Sequence, residues 1–158
     1  MTSHSNKTNV QQQLVTATAL IYREVDNNIQ VFMAKRADSK KLLPGVWEIP
    51  GGHIEFGEEI TEGLVREIME EFGKTIELGD PFFAFTYTNQ TKNSHSIEVI
   101  YFAQFSDTNS AITLNPKDHS AYKWFYEDEI RQPGLLKRKP KDPEYVGIQK
   151  GLAILSGR

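Results

Sequence analysis

Three carboxylates within five residues, Glu67, Glu70 and Glu71, follow directly on Arg66 and lie one turn after Gly63. On an α-helix each residue advances about 100°, so the three acids share an arc of about 100°. Leu64, Ile68 and Phe72 fill the neighbouring arc and can face a core. Ionised carboxylates this close repel one another. At an effective dielectric of about 20 and roughly 5 Å apart, each pair costs on the order of 3 kcal/mol, and less where water and salt reach it. A hard divalent cation reverses the sign of that term. Mg2+ takes oxygen ligands, keeps part of its water shell and bridges to phosphates. Arg66 can hold a carboxylate in one rotamer through a forked hydrogen bond. Gly63 costs the helix roughly 1 kcal/mol against Ala, and leaves room for something to approach the acids. A glutamate-rich helix also serves as a solvated face, with Arg66 and Lys74 as surface partners. The acids, the arginine, the glycine and the turn Pro50-Gly51-Gly52 leading into them together favour a cation site.

Residues 51–74 read GGHIEFGEEITEGLVREIMEEFGK. This segment resembles the Nudix signature, G-x5-E-x7-R-E-U-x-E-E-x-G-U, where U is a bulky apolar residue. Gly52, Glu58, Arg66, Glu67, Ile68, Glu70, Glu71 and Gly73 fill it at the right spacing. The last position departs: it is Lys74, with the next apolar residue at Ile76. That position packs the chain after the helix, so the departure bears on packing more than on chemistry. The lead-in WEIPGG resembles MutT-type members.

The resemblance implies an α/β/α sandwich with a mixed sheet, and hydrolysis of a diphosphate linkage in a nucleotide with Mg2+ or Mn2+ as cofactor. It implies Glu70 and Glu71 as metal ligands, Glu67 as metal ligand or general base, the Gly51 carbonyl as a further ligand, and Arg66 as the group that orients the acids. Glu58 matches the motif's early acid, either a partner of the site or a helix N-terminal charge favoured by the dipole. Glu55, in the connecting loop, reads as solvated. Residues 117–124, KDHSAYKW, resemble a loop that supplies one more acid or base in MutT-type members. That puts Asp118 at a metal-binding position, with His119 as an alternative base. Their plain readings are a turn aspartate and an exposed histidine.

The elements that must position these groups follow from periodicity. Residues 1–13 are polar and read as a frayed tail, leaving 14–158 as a single domain. Residues 14–23 and 29–35 read as strands joined by a turn at Asp26-Asn27-Asn28, hence a hairpin. Residues 37–44 form a polar loop, and 46–49 a short extended piece ended by Pro50-Gly51-Gly52. Helical spacing predicts a helix over 58–72 with Gly73 as its stop. Strands follow at 81–88, 96–105 and 121–125, and Asp142-Pro143 opens a C-terminal helix. Hairpins together with crossovers imply an α/β fold with a mixed sheet.

Composition narrows the function. With 39% hydrophobic and 25% charged residues, the 158-residue chain can bury a core and keep an ordinary charged surface. The formal charge of -3 argues against binding a nucleic-acid polymer. The absence of cysteine excludes disulfides and thiol catalysis, and with it the isopentenyl diphosphate isomerases that resemble this fold, since they need a reactive cysteine. No secretory signal or membrane-length apolar run stands out, so a cytoplasmic protein without membrane contact is expected, as monomer or homodimer.

Substrate choice lies outside the motif. Phe83, Phe85 and Tyr87 alternate along one strand and share a face, either as a core stripe or as a platform for a base; Tyr122 and Trp124 are further stacking candidates. Trp47 beside the motif is expected to line the cleft. The basic run Lys137-Arg138-Lys139 with Lys141 is either a solvated loop or a reach towards phosphates. The proline that marks ADP-ribose hydrolases and the SQPWPFPxS array of NADH-type members are missing. The resemblance therefore leans to a nucleoside triphosphate, a small-molecule partner. A nucleotide sugar, a dinucleotide, or a non-catalytic nucleotide sensor on the same scaffold are the alternatives.

Overall fold

The computed structural model describes residues 10–157. β1 (Gln12–Val25) and β2 (Asn28–Arg36) form the expected hairpin. Asp26 and Asn27 take φ of 50° and 61°, the left-handed pair that lets a two-residue turn follow the twist of the strands. β1 starts earlier than expected: Gln12 and Gln13 pair with Ser94 and His95 of β6 (Ser94–Phe105). The rest of the expected tail, through residue 9, lies outside the described residues.

β1 is the hub of the sheet. β6 runs parallel to it, and β5 (Ile76–Asn89) is antiparallel to β6. β2 carries β3 (Trp47–Glu48) and β7 (His119–Tyr126), both antiparallel. The sheet is mixed, as the alternation of hairpins and crossovers implied. The extended piece ends before Pro50 as expected, but Gly51 and Gly52 open a further strand, β4 (Gly51–His53), paired with Thr16–Thr18 of β1. Glycine permits this close approach, because a Cβ on Gly51 would stand 2.2 Å from the Ala17 carbonyl oxygen.

α1 (Ile60–Phe72) stops at Gly73, which is left-handed at φ 63° and donates its N–H to the Met69 carbonyl. α3 (Pro143–Leu155) is capped by Asp142, whose carboxylate accepts from the Tyr145 N–H at 3.0 Å. Between them lies α2 (Glu127–Ile130), four residues long and too short to leave a 3.6-residue period in the sequence. α1 covers one face of the sheet, packing Leu64, Ile68 and Phe72 on Ala17, Ala19 and Phe32. α3 covers the other, packing Ile148 and Leu152 on Leu20, Ile100 and Phe125. Alternation along β1 feeds both cores. Gly147 and Gly151 bring α3 down onto the sheet: a Cβ on either would fall within 2.6 Å of Ile100 or Leu20. The result is the α/β/α sandwich expected. No helix among the described residues is long and apolar enough to cross a membrane.

Candidate functional site

The acids of α1 face β4 and the loop that precedes β7. Glu67 folds over β4: a Cβ on Gly52 would lie 2.3 Å from Glu67 Oε2, so only glycine leaves it that space. Arg66 forks onto Glu58, with Nε to Oε1 at 2.8 Å and Nη2 to Oε2 at 3.0 Å. Its Nη2 also donates to the His53 carbonyl at 3.0 Å, and its Nη1 reaches Glu67 at 2.8 Å and Glu70 at 3.3 Å. The arginine thus bonds three of the motif's acids, Glu58, Glu67 and Glu70. Glu58 is settled as its partner: the Arg66 fork and the Glu55 N–H hold its carboxyl down at about 2. The room that Gly63 was expected to leave is filled. A Cβ there would meet Glu58 Oε2 and the Ile54 side chain, both at 2.7 Å.

Glu71 differs from its neighbours. Glu70 is exposed, whereas Glu71 is largely buried and its Oε2 has no hydrogen-bond partner. Burial, then the charges of Glu48, Asp118 and Glu67, push its carboxyl up to about 9, with Lys40 pulling the other way. Asp118 reaches this neighbourhood because its loop is stitched to the end of α1. The Thr113 N–H donates to the Phe72 carbonyl and the Asn115 N–H to the Glu71 carbonyl, each at 3.0 Å. The Asp118 and His119 N–H groups then both bond the Asn115 carbonyl. Lys40 Nζ donates to Asp118 Oδ1 at 2.6 Å.

Glu48 went unnoticed in the sequence. Arg36 Nη1 donates to both of its oxygens at 3.2 Å, and His119 Nε2 lies 2.9 Å from Oε1. Burial pushes its carboxyl up, but the His119 hydrogen bond and the charges of Arg36, His119 and Arg138 outweigh that and hold it below the ordinary value. As an ionised acceptor it receives a hydrogen bond from His119 Nε2–H, which fixes the tautomer with the proton on Nε2. The sequence signal available was the glutamate inside WEIPGG, one place from a tryptophan and so on the opposite face of a strand.

Several expected site residues belong to packing instead. His119 is buried, stacked on Phe72 at 5.2 Å and bonded to Glu48, so it is not the exposed histidine of the plain reading, and its Nε2 is engaged by Glu48. Trp47, expected to line the cleft, packs its half-buried ring edge-on against Phe125 at 5.0 Å, on the α3-side core. Phe83 lies under α3, close to Gly147 and below Lys150 Nζ, while Phe85 and Tyr87 continue the stripe half-buried at ring spacings of 5.9 and 6.1 Å. Tyr122 is exposed and Trp124 takes Arg23 over its ring at 4.2 Å. Arg138 is neither solvated nor free for phosphate: its side chain is 3% exposed and bonded to Asp142 and Glu144.

The oxygen donors around Glu71 suit a hard divalent cation. A buried carboxyl oxygen without a partner, near the charges of Glu48, Glu67 and Asp118, is the kind of donor such an ion would take. Among the described residues no three acidic or histidine side chains converge at ligating distance; Arg66 holds Glu67 and Glu70, and Lys40 holds Asp118.

Known proteins resemble this chain in sequence and in fold. An RNA pyrophosphohydrolase of Erythrobacter litoralis (strain HTCC2594) is 30% identical over 116 residues, covering 63% of this chain and 70% of the relative. The nucleoside triphosphatase NudI of Salmonella agona (strain SL483) is 39% identical over 56 residues, 35% of this chain and only 40% of that protein. The crystal structure of a MutT NUDIX hydrolase from Burkholderia pseudomallei superposes with a TM-score of 0.69 at 24% identity, over 88% of this chain and 98% of that one. The NUDIX domain itself matches residues 13–146, a span that holds the acidic helix, β4 and the Asp118 loop together, and the chain belongs to that family, the Nudix hydrolases.

Proposed function

We propose that the protein hydrolyses a diphosphate linkage in a nucleoside triphosphate or another nucleoside diphosphate derivative, with Mg2+ or Mn2+ as cofactor. The observation that carries this reading is the unpartnered, buried Glu71 Oε2 set among three further acids. Glu67, Glu70, Glu71, Asp118 and the Gly51 carbonyl would hold the cation, an all-oxygen set that fits a hard ion. Bound there, a divalent ion neutralises the charge of the diphosphate oxygens and of the departing phosphate.

The chain's own groups do the rest. Glu67, aligned by Arg66, takes a proton from the attacking water as that water's oxygen bonds to phosphorus. The bridging P–O bond breaks and its electron pair leaves with the departing phosphate. Glu58 spends its charge on Arg66 and so keeps the guanidinium from closing fully over Glu67 and Glu70. Glu48, bonded to His119, adds a negative charge that helps to raise the Glu71 carboxyl. Phe85 and Tyr87, half-buried on β5, and the exposed Tyr122 are aromatic candidates for a nucleobase. Names of relatives support this substrate class: one is a nucleoside triphosphatase and another an RNA pyrophosphohydrolase.

The test is phosphate and pyrophosphate release from a panel of nucleoside triphosphates, nucleotide sugars and dinucleotides, with and without Mg2+. Release that needs the metal is expected, together with its loss in Glu70→Gln. A Glu70→Gln protein as active as the unsubstituted one at saturating Mg2+ contradicts the assignment. Nucleotide binding without turnover across the whole panel would favour a sensor.

A further inference from the structure

Three cations touch the acidic cluster, and they are held very differently. Arg66 spends its guanidinium on Glu58, Glu67, Glu70 and the His53 carbonyl. Arg36 is fixed by Glu48 and by the Leu42 carbonyl, to which its Nε donates at 2.9 Å. Among the described residues Lys40 has a single side-chain bond, to Asp118 Oδ1. Both members of that pair are part-exposed, 33% for the lysine and 25% for the aspartate. A part-exposed ion pair on a flexible four-carbon stem is easily exchanged.

The placement of Lys40 is nonetheless built into the fold. The loop between β2 and β3 is tied at its base to Asp118 itself, through the Ala37 N–H and the Asp118 carbonyl at 2.9 Å. The Lys40 N–H then bonds the Ala37 carbonyl at 3.0 Å, which turns the side chain back onto the aspartate. Lys40 is also the positive charge felt by buried Glu71. Its neighbour Lys41 is exposed and forms no ion pair among the described residues.

We infer that Lys40 is an exchangeable counter-cation: its ammonium neutralises Asp118 until a divalent ion enters the acidic cluster, and then passes to a phosphate of the nucleotide. The inference rests on the metal-dependent hydrolase reading above. A divalent ion and the Lys40 ammonium compete for the same aspartate, so each weakens the other there. The nucleotide then offers the displaced ammonium a phosphate oxygen within reach of the site it left, and a charge-assisted hydrogen bond replaces the one given up. Lys40 thus opposes binding of the metal alone and favours binding of metal with nucleotide.

This arrangement makes two effects of opposite sign. Mn2+ titrated into nucleotide-free protein and followed by electron paramagnetic resonance should bind Lys40→Met more tightly, by roughly threefold or more. The same variant should show a KM for the nucleoside triphosphate raised about tenfold, with kcat changed far less. Lys41→Met should match the unsubstituted protein in both measurements. Weaker or unchanged Mn2+ binding in Lys40→Met would make Lys40 a mere prop for Asp118 and overturn the inference, as would an unchanged KM. Failure of the unsubstituted protein to bind Mn2+ at all strikes the hydrolase reading itself, a different outcome from normal Mn2+ binding that Lys40 does not influence.

Discussion

Two buried ionic clusters lie on this sheet, and they differ in completeness. At the start of α3, Arg138 donates through Nε to the Trp47 carbonyl at 2.8 Å, through Nη1 to Asp142 at 2.9 Å, and through Nη2 to Glu144. Glu144 Oε1 in turn accepts from the Ile49 N–H at 3.1 Å, and Asp142 caps the helix. Burial, with the charges of Glu98, Glu48 and Asp142, holds the Glu144 carboxyl well above the ordinary range against the pull of Arg138, and its oxygens are taken up by Arg138 and the Ile49 N–H. Beside α1, by contrast, Glu71 keeps an unpartnered oxygen and Asp118 holds one exchangeable lysine. The first cluster fastens α3 to β3 and needs nothing more. The second keeps a buried oxygen without a partner, the one a divalent ion would take under the proposed reading. Buried charge by itself marks neither function nor structure; the unmet valence does.

Breaking each cluster should therefore fail in a different way. Glu71→Gln should cost on the order of 10²–10⁴ in kcat/KM while leaving the folded state intact, read by steady-state kinetics beside thermal melting. Arg138→Met should do the reverse. It strands Asp142 and Glu144 in the interior, and losing one partner of such a cluster costs about 3–5 kcal/mol of stability. Urea unfolding measures that loss, and the folded fraction should retain its kcat. A catalytic loss in Arg138→Met without unfolding would erase the distinction between the clusters.

Why the sequence separated these clusters poorly is instructive. The acids of α1 were legible because the carboxylates, Arg66 and the glycines lie within one helical stretch, where 3.6-residue geometry sets their relations. Leu64, Ile68 and Phe72 were legible as core for the same reason. Arg138 was misread because a run of basic residues reports local charge density, and its partner at the Trp47 carbonyl is 91 residues away. His119 and Trp47 were misread likewise, since their contacts to Glu48 and Phe125 are tertiary. Asp118 was found only through resemblance, and what holds it, Lys40 on another loop, left no sequence signal. Strand extents fell short where pairing, not composition, decides them, as at Gln12 and at Gly51.

The pH response sharpens the comparison further. Glu71 is held at about 9 in the folded protein against an ordinary 4.5. Below pH 4.5 both folded and unfolded chains carry its proton and its contribution is level. Between there and pH 9 the folded chain binds the proton more tightly, so stability falls as pH rises, by about 3 kcal/mol between pH 4.5 and 7. Melting of chelator-treated protein at pH 5 and pH 8 should show that decline, and Glu71→Gln should flatten it. Mg2+ should restore more stability at pH 8 than at pH 5, because only the ionised carboxylate is a good ligand. A decline of the same size in Glu71→Gln would place its origin elsewhere.

The smallest effect concerns Lys74, where the motif departs from its apolar pattern. The side chain is buried, with Nζ donating to the Asp107 carbonyl and to the Ser110 carbonyl and hydroxyl, and it lies 5.4 Å from the Phe105 ring. It thus ties residues 107–110 to the end of α1, upstream of the loop that delivers Asp118. Lys74→Met loses those hydrogen bonds but also the cost of burying an ammonium, so global stability should change by only about 1 kcal/mol. The loop should loosen nonetheless. Amide exchange at Ser110 and its neighbours should quicken at least several-fold while that of Leu64 and Ile68 stays fixed, since local opening draws on far less free energy than global unfolding. Equal acceleration in α1 would mean that Lys74 supports the whole core and that the motif's last position had kept its packing role.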